Sequence, residues 1–170
     1  MPARTLTASS RGLGMSLGLG LALYCFVAGV QVQAAGLPVP CAGGTCAGGP
    51  SLWVTQGLTA QPLPVITPVI DAAGLQIGEQ LDINQTSDKA VFNWAEFNVA
   101  KGNKVNFNQP ARTSLAINKI FQGDPSKIFG AVTANGQIYL INQNGILFGE
   151  GSQVNVGGLI ASSLLIDPEA

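Results

Sequence analysis

Asn135-Gly-Gln-Ile-Tyr-Leu-Ile-Asn-Gln-Asn-Gly-Ile-Leu-Phe-Gly149 is the stretch on which the fold turns. It holds two Asn-Gly pairs, Asn135-Gly136 and Asn144-Gly145. Both residue types tolerate positive φ, so each pair makes a tight turn between strands. Ile138 to Ile141 lies between them, and Ile146 to Phe148 follows the second. These runs are apolar on both faces. A strand of that kind needs cover on two sides, such as the interior of a coil together with an external cap.

The same grammar extends outward. Leu75 and Ile77, Leu81 and Ile83, Val105 and Phe107, Leu115 and Ile117, and Val154 and Val156 alternate with polar or small neighbours. Gly, Asn or Asp ends each run, and Gly149, Gly151, Gly157 and Gly158 add bends. Short period-two runs separated by turn residues predict strands. Pro110 and the Thr, Ile and Asn content of Ala111 to Asn118 favour a strand there over a helix. No segment carries the apolar stripe of an amphipathic helix. The chain is therefore expected to be all-β, either a sandwich or barrel or a parallel β-helix. Charged residues make up only 10% of the sequence. Asn recurs near bends, at 93, 98, 103, 106, 108, 118, 135, 142, 144 and 155. Asn side chains stack into hydrogen-bonded ladders when equivalent turns lie above one another, which favours the β-helix.

The N-terminal part reads differently. Arg4 and Arg11 are followed by a nearly unbroken apolar run from Gly12 to Val30 and by Val32-Gln-Ala34. Basic, apolar and small in that order describe a secretory signal peptide over residues 1–34, cut after Ala34 or Ala35. A membrane anchor would need about 20 strongly apolar residues, and the glycines here weaken that reading. Tyr24 is too large for the position before a lipidated cysteine at Cys25. Residues 35–72 form a Gly/Pro-rich segment in which Pro38, Pro40, Pro50, Pro62, Pro64 and Pro68 forbid a helix and interrupt ladder pairing. Trp53 and Val54 are placed at the start of a first strand. Cys41 and Cys46 lie in this segment, and in an exported chain they are expected to close a small disulfide loop; two thiols fall short of a structural zinc site.

Charge and composition narrow the function. All nine acidic residues and six of the eight basic ones lie beyond the leader, a net charge of −3 for the mature chain. No basic patch emerges, which argues against nucleic acid or an anionic membrane surface as partner. Histidine is absent altogether, which removes the commonest general base and metal ligand. Asp82, Asp88, Glu96, Asp124 and Glu150 are scattered through turns and share no spacing; they read as solvated surface rather than as a paired-carboxylate site. Gly149-Glu-Gly151 lacks the Lys and Ser/Thr of a phosphate loop. No cofactor or metal is expected.

Ordered motifs then carry a resemblance. Asn93-Trp94-Ala-Glu-Phe97-Asn98-Val99 resembles the NWxxFNV segment of the haemagglutination-activity domain that opens filamentous-haemagglutinin-type exoproteins of two-partner secretion systems. Val105 to Pro110, Ser114 to Ile120 and Ile128 to Ile141 are similar to the strands that follow it. Asn142-Gln143-Asn144-Gly145-Ile146 resembles the family's NPNGI signature, and Val154 to Leu164 its NxxGLxAST rung. The resemblance runs from about Gly74 to Leu165. Gln143 stands where the family has proline, so the turn is expected to form without that preset φ. The NPNL signature has no clear counterpart, which places the chain nearer the high-molecular-weight-adhesin branch.

This resemblance implies a right-handed parallel β-helix with an N-terminal cap over residues 73–170. It implies a secretion domain recognised in the periplasm by an outer-membrane pore of the Omp85-like class, followed by adhesin repeats that engage a host-cell or surface receptor. The chain stops at Asp167-Pro-Glu-Ala170, before the expected last turns. An incomplete domain, from a fragment or a truncated reading frame, is therefore expected. Asn142 to Ile146 reads either as a partner-binding motif or simply as a strong turn, and Trp94 and Phe97 as core or cap anchors. Two other functions compete: a β-helical carbohydrate-active enzyme, and a surface protein that self-associates through an open strand edge.

Overall fold

The computed structural model describes residues 36–41, 46, 53–56 and 64–164. The expected leader lies outside them, as does the interior of the Cys loop. Three strands come first: β1 (Val39–Pro40), β2 (Val54–Gln56) and β3 (Val65–Ile70). The chain then coils. A first turn holds β4 (Gln76–Asn84) and β5 (Lys89–Glu96), and a second holds β6 (Lys104–Asn108), β7 (Leu115–Ile120) and β8 (Ser126–Ile128). A third holds β9 (Ala131–Ala134), β10 (Gln137–Asn142) and β11 (Ile146–Phe148), and β12 (Gln153–Asn155) and β13 (Gly158–Ser162) begin a fourth. Equivalent strands pair in parallel. β4, β6, β9 and β12 make one face, β5, β7, β10 and β13 a second, and β8 with β11 a third, which a bridge from Val99 to Ile128 extends. Parallel neighbours need a long crossover, and here the crossover is the rest of the turn. The molecule is an all-β, mostly parallel β-solenoid of about four turns.

The alternation explains which side chains enter the coil. On the first face Leu81, Val105, Val132 and Val154 stand in register, and so do Ile83, Phe107 and Ala134. On the second, Ala90, Ala116, Ile138 and Leu159 align, as do Phe92, Asn118, Leu140 and Ala161. Apart from Asn118 these inward columns are apolar, so each turn buries the apolar surface of the one before it. Between these columns Val91, Ile117 and Ile141 form a second buried cluster, so β5, β7 and β10 are covered on both sides, as their composition requires. The outward positions of the first face are polar and laddered. Asn106 Nδ2 donates to Asp82 Oδ1 at 2.8 Å, Asn108 Nδ2 to Asn84 Oδ1 at 2.9 Å, and Thr133 Oγ1 to Asn106 Oδ1 at 2.8 Å.

Antiparallel strands close the N-terminal edge: β1 and β2 lie along β5, and β3 along β4. Pro68 sits inside β3, which pairs on both sides of it. The expectation that prolines break pairing in this segment fails at this position because β3 is an edge strand, where a missing donor is tolerated. Cys41 and Cys46 are disulfide-bonded, with Cα atoms 5.3 Å apart. At the other end Val154 and Leu159 are 37% and 38% exposed, because among the described residues no further turn covers them.

Candidate functional site

The two motifs occupy one corner of the coil, on its first and third turns, where the second face turns into the third. Phe97 to Val99 make this corner on the first turn, Phe121 to Pro125 on the second, and Gln143 to Gly145 on the third. Trp94 and Phe97 are fully buried, with ring centroids 5.2 Å apart in an edge-to-face pair. Trp53 closes the cluster from the cap, 4.8 Å from both Phe92 and Trp94. Trp94 Nε1 donates to the buried Asn118 Oδ1 at 2.8 Å. Asn118 Nδ2 in turn reaches the Tyr139 carbonyl at 3.1 Å, so one interior Asn links three successive turns.

The middle segment stitches the two motifs together. Gln122 Oε1 accepts the Phe97 N–H at 2.7 Å, and the Gln122 carbonyl accepts Asn144 Nδ2 at 2.9 Å. Asn98 Oδ1 accepts the Lys127 N–H at 2.9 Å. The Val99 N–H donates to the Lys127 carbonyl at 2.9 Å. Asn142 is fully buried. Its Nδ2 donates to the Asp124 carbonyl and to Ser126 Oγ, at 3.1 and 2.9 Å, and its Oδ1 accepts the Asn144 N–H at 2.9 Å. The Gly145 N–H closes on the Asn142 carbonyl at 2.9 Å, with Gly145 at φ 97°. The turn thus forms with Gln143 in place of proline. Ile146 begins β11 and packs, half-buried, against the main core. Asn93 anchors the cap through its backbone: its carbonyl accepts the Cys41 N–H at 2.9 Å and its N–H reaches the Trp53 carbonyl at 2.8 Å.

Gln122 and Ser126 are the residues that sequence reasoning misses, and Asp124, read there as solvated surface, contributes its backbone carbonyl. Their importance comes from lying one turn away from both motifs, and nothing in their immediate neighbours signals it. A cleft of about 330 Å³ opens beside them, lined among others by Glu96, Asn98, Gln122, Asp124 and Lys127. Among the described residues no group of three or more His, Cys, Asp or Glu side chains could hold a metal ion. The corner can offer hydrogen bonds and shape; it assembles no nucleophile, base or oxyanion donor set.

A family model described as the TPS secretion domain matches residues 60–167. Two heme/hemopexin-binding proteins of Haemophilus influenzae are similar. One is 39% identical over 85 residues, half of this chain and 9% of its own length; the other is 35% identical over 107 residues, 62% of this chain and 12% of its own length. The chain therefore spans about a tenth of these relatives. The crystal structure of the HMW1 secretion domain from Haemophilus influenzae is 29% identical, with a TM-score of 0.49, covering 65% of this chain and 28% of that one. Proteins with TPS domains are generally exported through an outer-membrane transporter of the Omp85 family. Their secretion domains are non-catalytic, which removes the carbohydrate-active enzyme as an alternative. The chain belongs to the TPS secretion domain family: it is the N-terminal secretion domain of a filamentous-haemagglutinin-like exoprotein, secreted or surface-exposed on a Gram-negative bacterium.

Proposed function

We propose that an Omp85-like pore reads residues 93–99 and 142–146 while the chain is still unwound in the periplasm, and that winding outside the cell then buries Trp94, Phe97, Val99 and Asn142. One observation carries this reading. Trp94, Phe97, Val99 and Asn142 are all fully buried in the coil, so their side chains are open to a partner only before the coil forms. A signal peptide over residues 1–34 brings the chain to the periplasm, and residues 35–72 lead into a domain over 73–170. Winding is right-handed and proceeds turn by turn, each turn stabilised by the one beneath it. Adhesion to a host surface belongs to regions downstream. The heme/hemopexin binding named for the relatives is not carried over, since the shared stretch is about a tenth of their length.

A second reading gives the same residues a structural role alone, and the hydrogen bonds of the corner favour it. Co-expression with the cognate pore separates the two. Trp94→Ala and Asn144→Ala variants are expected to accumulate in the periplasm, with their loss from the medium exceeding any loss of folded stability. Secretion of both at the wild-type level would assign the motifs to the fold and not to recognition.

A further inference from the structure

Both cap strands reach the coil at Asn93. Its carbonyl takes the Cys41 N–H and its N–H gives to the Trp53 carbonyl, at 2.9 and 2.8 Å. β1 is only two residues long, too short to hold its place by ladder bonds alone. Cys41 follows it directly, fully buried and bonded to Cys46. That bond shortens the covalent path from Cys41 to Trp53 from a span of 12 positions to one of 7, which lowers the entropy lost when both strands dock. The bond joins residues only five positions apart. It can therefore form in an unwound chain.

We infer that Cys41 and Cys46 are a redox clip that sets the cap. With free thiols, β1 and β2 lose their grip on β5, and the parallel core stands with the N-terminal edge of β5 open while β3 still covers β4. With the disulfide made, that edge is closed. In the closing step the two thiols give up two protons and two electrons and an Sγ–Sγ bond forms. The disulfide of a thiol–disulfide exchange protein is reduced to a dithiol in return. A reducing cytoplasm holds the clip open and an oxidising compartment closes it, so the cap is completed only after the chain has left the cytoplasm. This rests on the cap geometry and stands apart from the reading of the export motifs.

The test refolds the secreted protein from urea, either with excess phosphine reductant or with a glutathione couple, and follows amide hydrogen exchange. Under reductant, protection at Cys41 and Asn93 should fall about 30-fold, the loop-closure contribution of so short a disulfide. Protection at Ile138 and Leu140 in β10 should hold within about twofold. A Cys41→Ser/Cys46→Ser double variant refolded without reductant should match the reduced protein. Unchanged protection at Cys41 and Asn93 would overturn the clip. An equal fall at all four amides would also overturn it, since the disulfide would then stabilise the whole domain and switch nothing.

Discussion

Trp94 and Trp53 occupy the same aromatic cluster with different polar fates. Trp94 Nε1 bonds Asn118 Oδ1 at 2.8 Å, whereas Trp53 Nε1 is buried with no hydrogen-bond partner among the described residues. Replacing either by Phe removes similar volume, but only Trp94→Phe strands a buried acceptor. That variant is predicted to lose about 1–3 kcal/mol more than Trp53→Phe, read as the difference in urea midpoints at constant slope. The turn at Asn142 to Gly145 offers a second pair. Gln143 is exposed, and the residue before it ends a strand, the conformation a following proline prefers. Gln143→Pro should therefore stabilise by about 0.4–1 kcal/mol. Gly145→Ala, at φ 97°, should cost about 1–2 kcal/mol. Thermal melts of the two variants should move in opposite directions.

Glycine also decides how closely adjacent turns approach at the element level. A Cβ on Gly130 would run into the Asn103 and Ala100 carbonyl oxygens, whereas one on Gly123 meets nothing within 4 Å. Gly130→Ala is predicted to destabilise by about 1–3 kcal/mol and Gly123→Ala to be near neutral, as chemical denaturation would show. Some elements are legible in the sequence. β6 and β12 show their alternation locally, and the Asn-Gly pairs mark the ends of β9 and β10. Leu75–Ile77 and Leu81–Ile83 read as separate runs, yet Gln76–Asn84 is one strand, because Gly78 lets it pass close to Gly102. β5 shows no alternation, since Ala90 to Trp94 are buried on both faces; only its motif reveals it. The corner partners stay hidden for another reason. On the first face, successive turns are offset by 24, 27 and 22 residues, so no fixed period exposes Gln122 as the neighbour of Phe97 and Asn144.

On the scale of the whole molecule, the two ends of the coil are treated differently. The N-terminal edge is covered by antiparallel strands, one of them carrying Pro68, a device that discourages further pairing. The last described turn is open, and Leu159 and Val154 are exposed there. A covered N-terminal edge gives winding a starting point, because each new turn finds its template in the previous one. The proposed export has the same direction, with the chain winding turn by turn as it leaves the pore. Under the proposal, Trp94, Phe97, Val99 and Asn142 change state during export: open in the threaded chain, and buried in the wound one. The most direct measurement is the affinity of the pore's periplasmic portion for this domain, compared between chain held unwound in mild urea and chain already refolded. Binding to the unwound chain that weakens at least about 100-fold on winding, the loss of nearly 3 kcal/mol of contact, is the predicted result. Equal or tighter binding to the wound domain would contradict it.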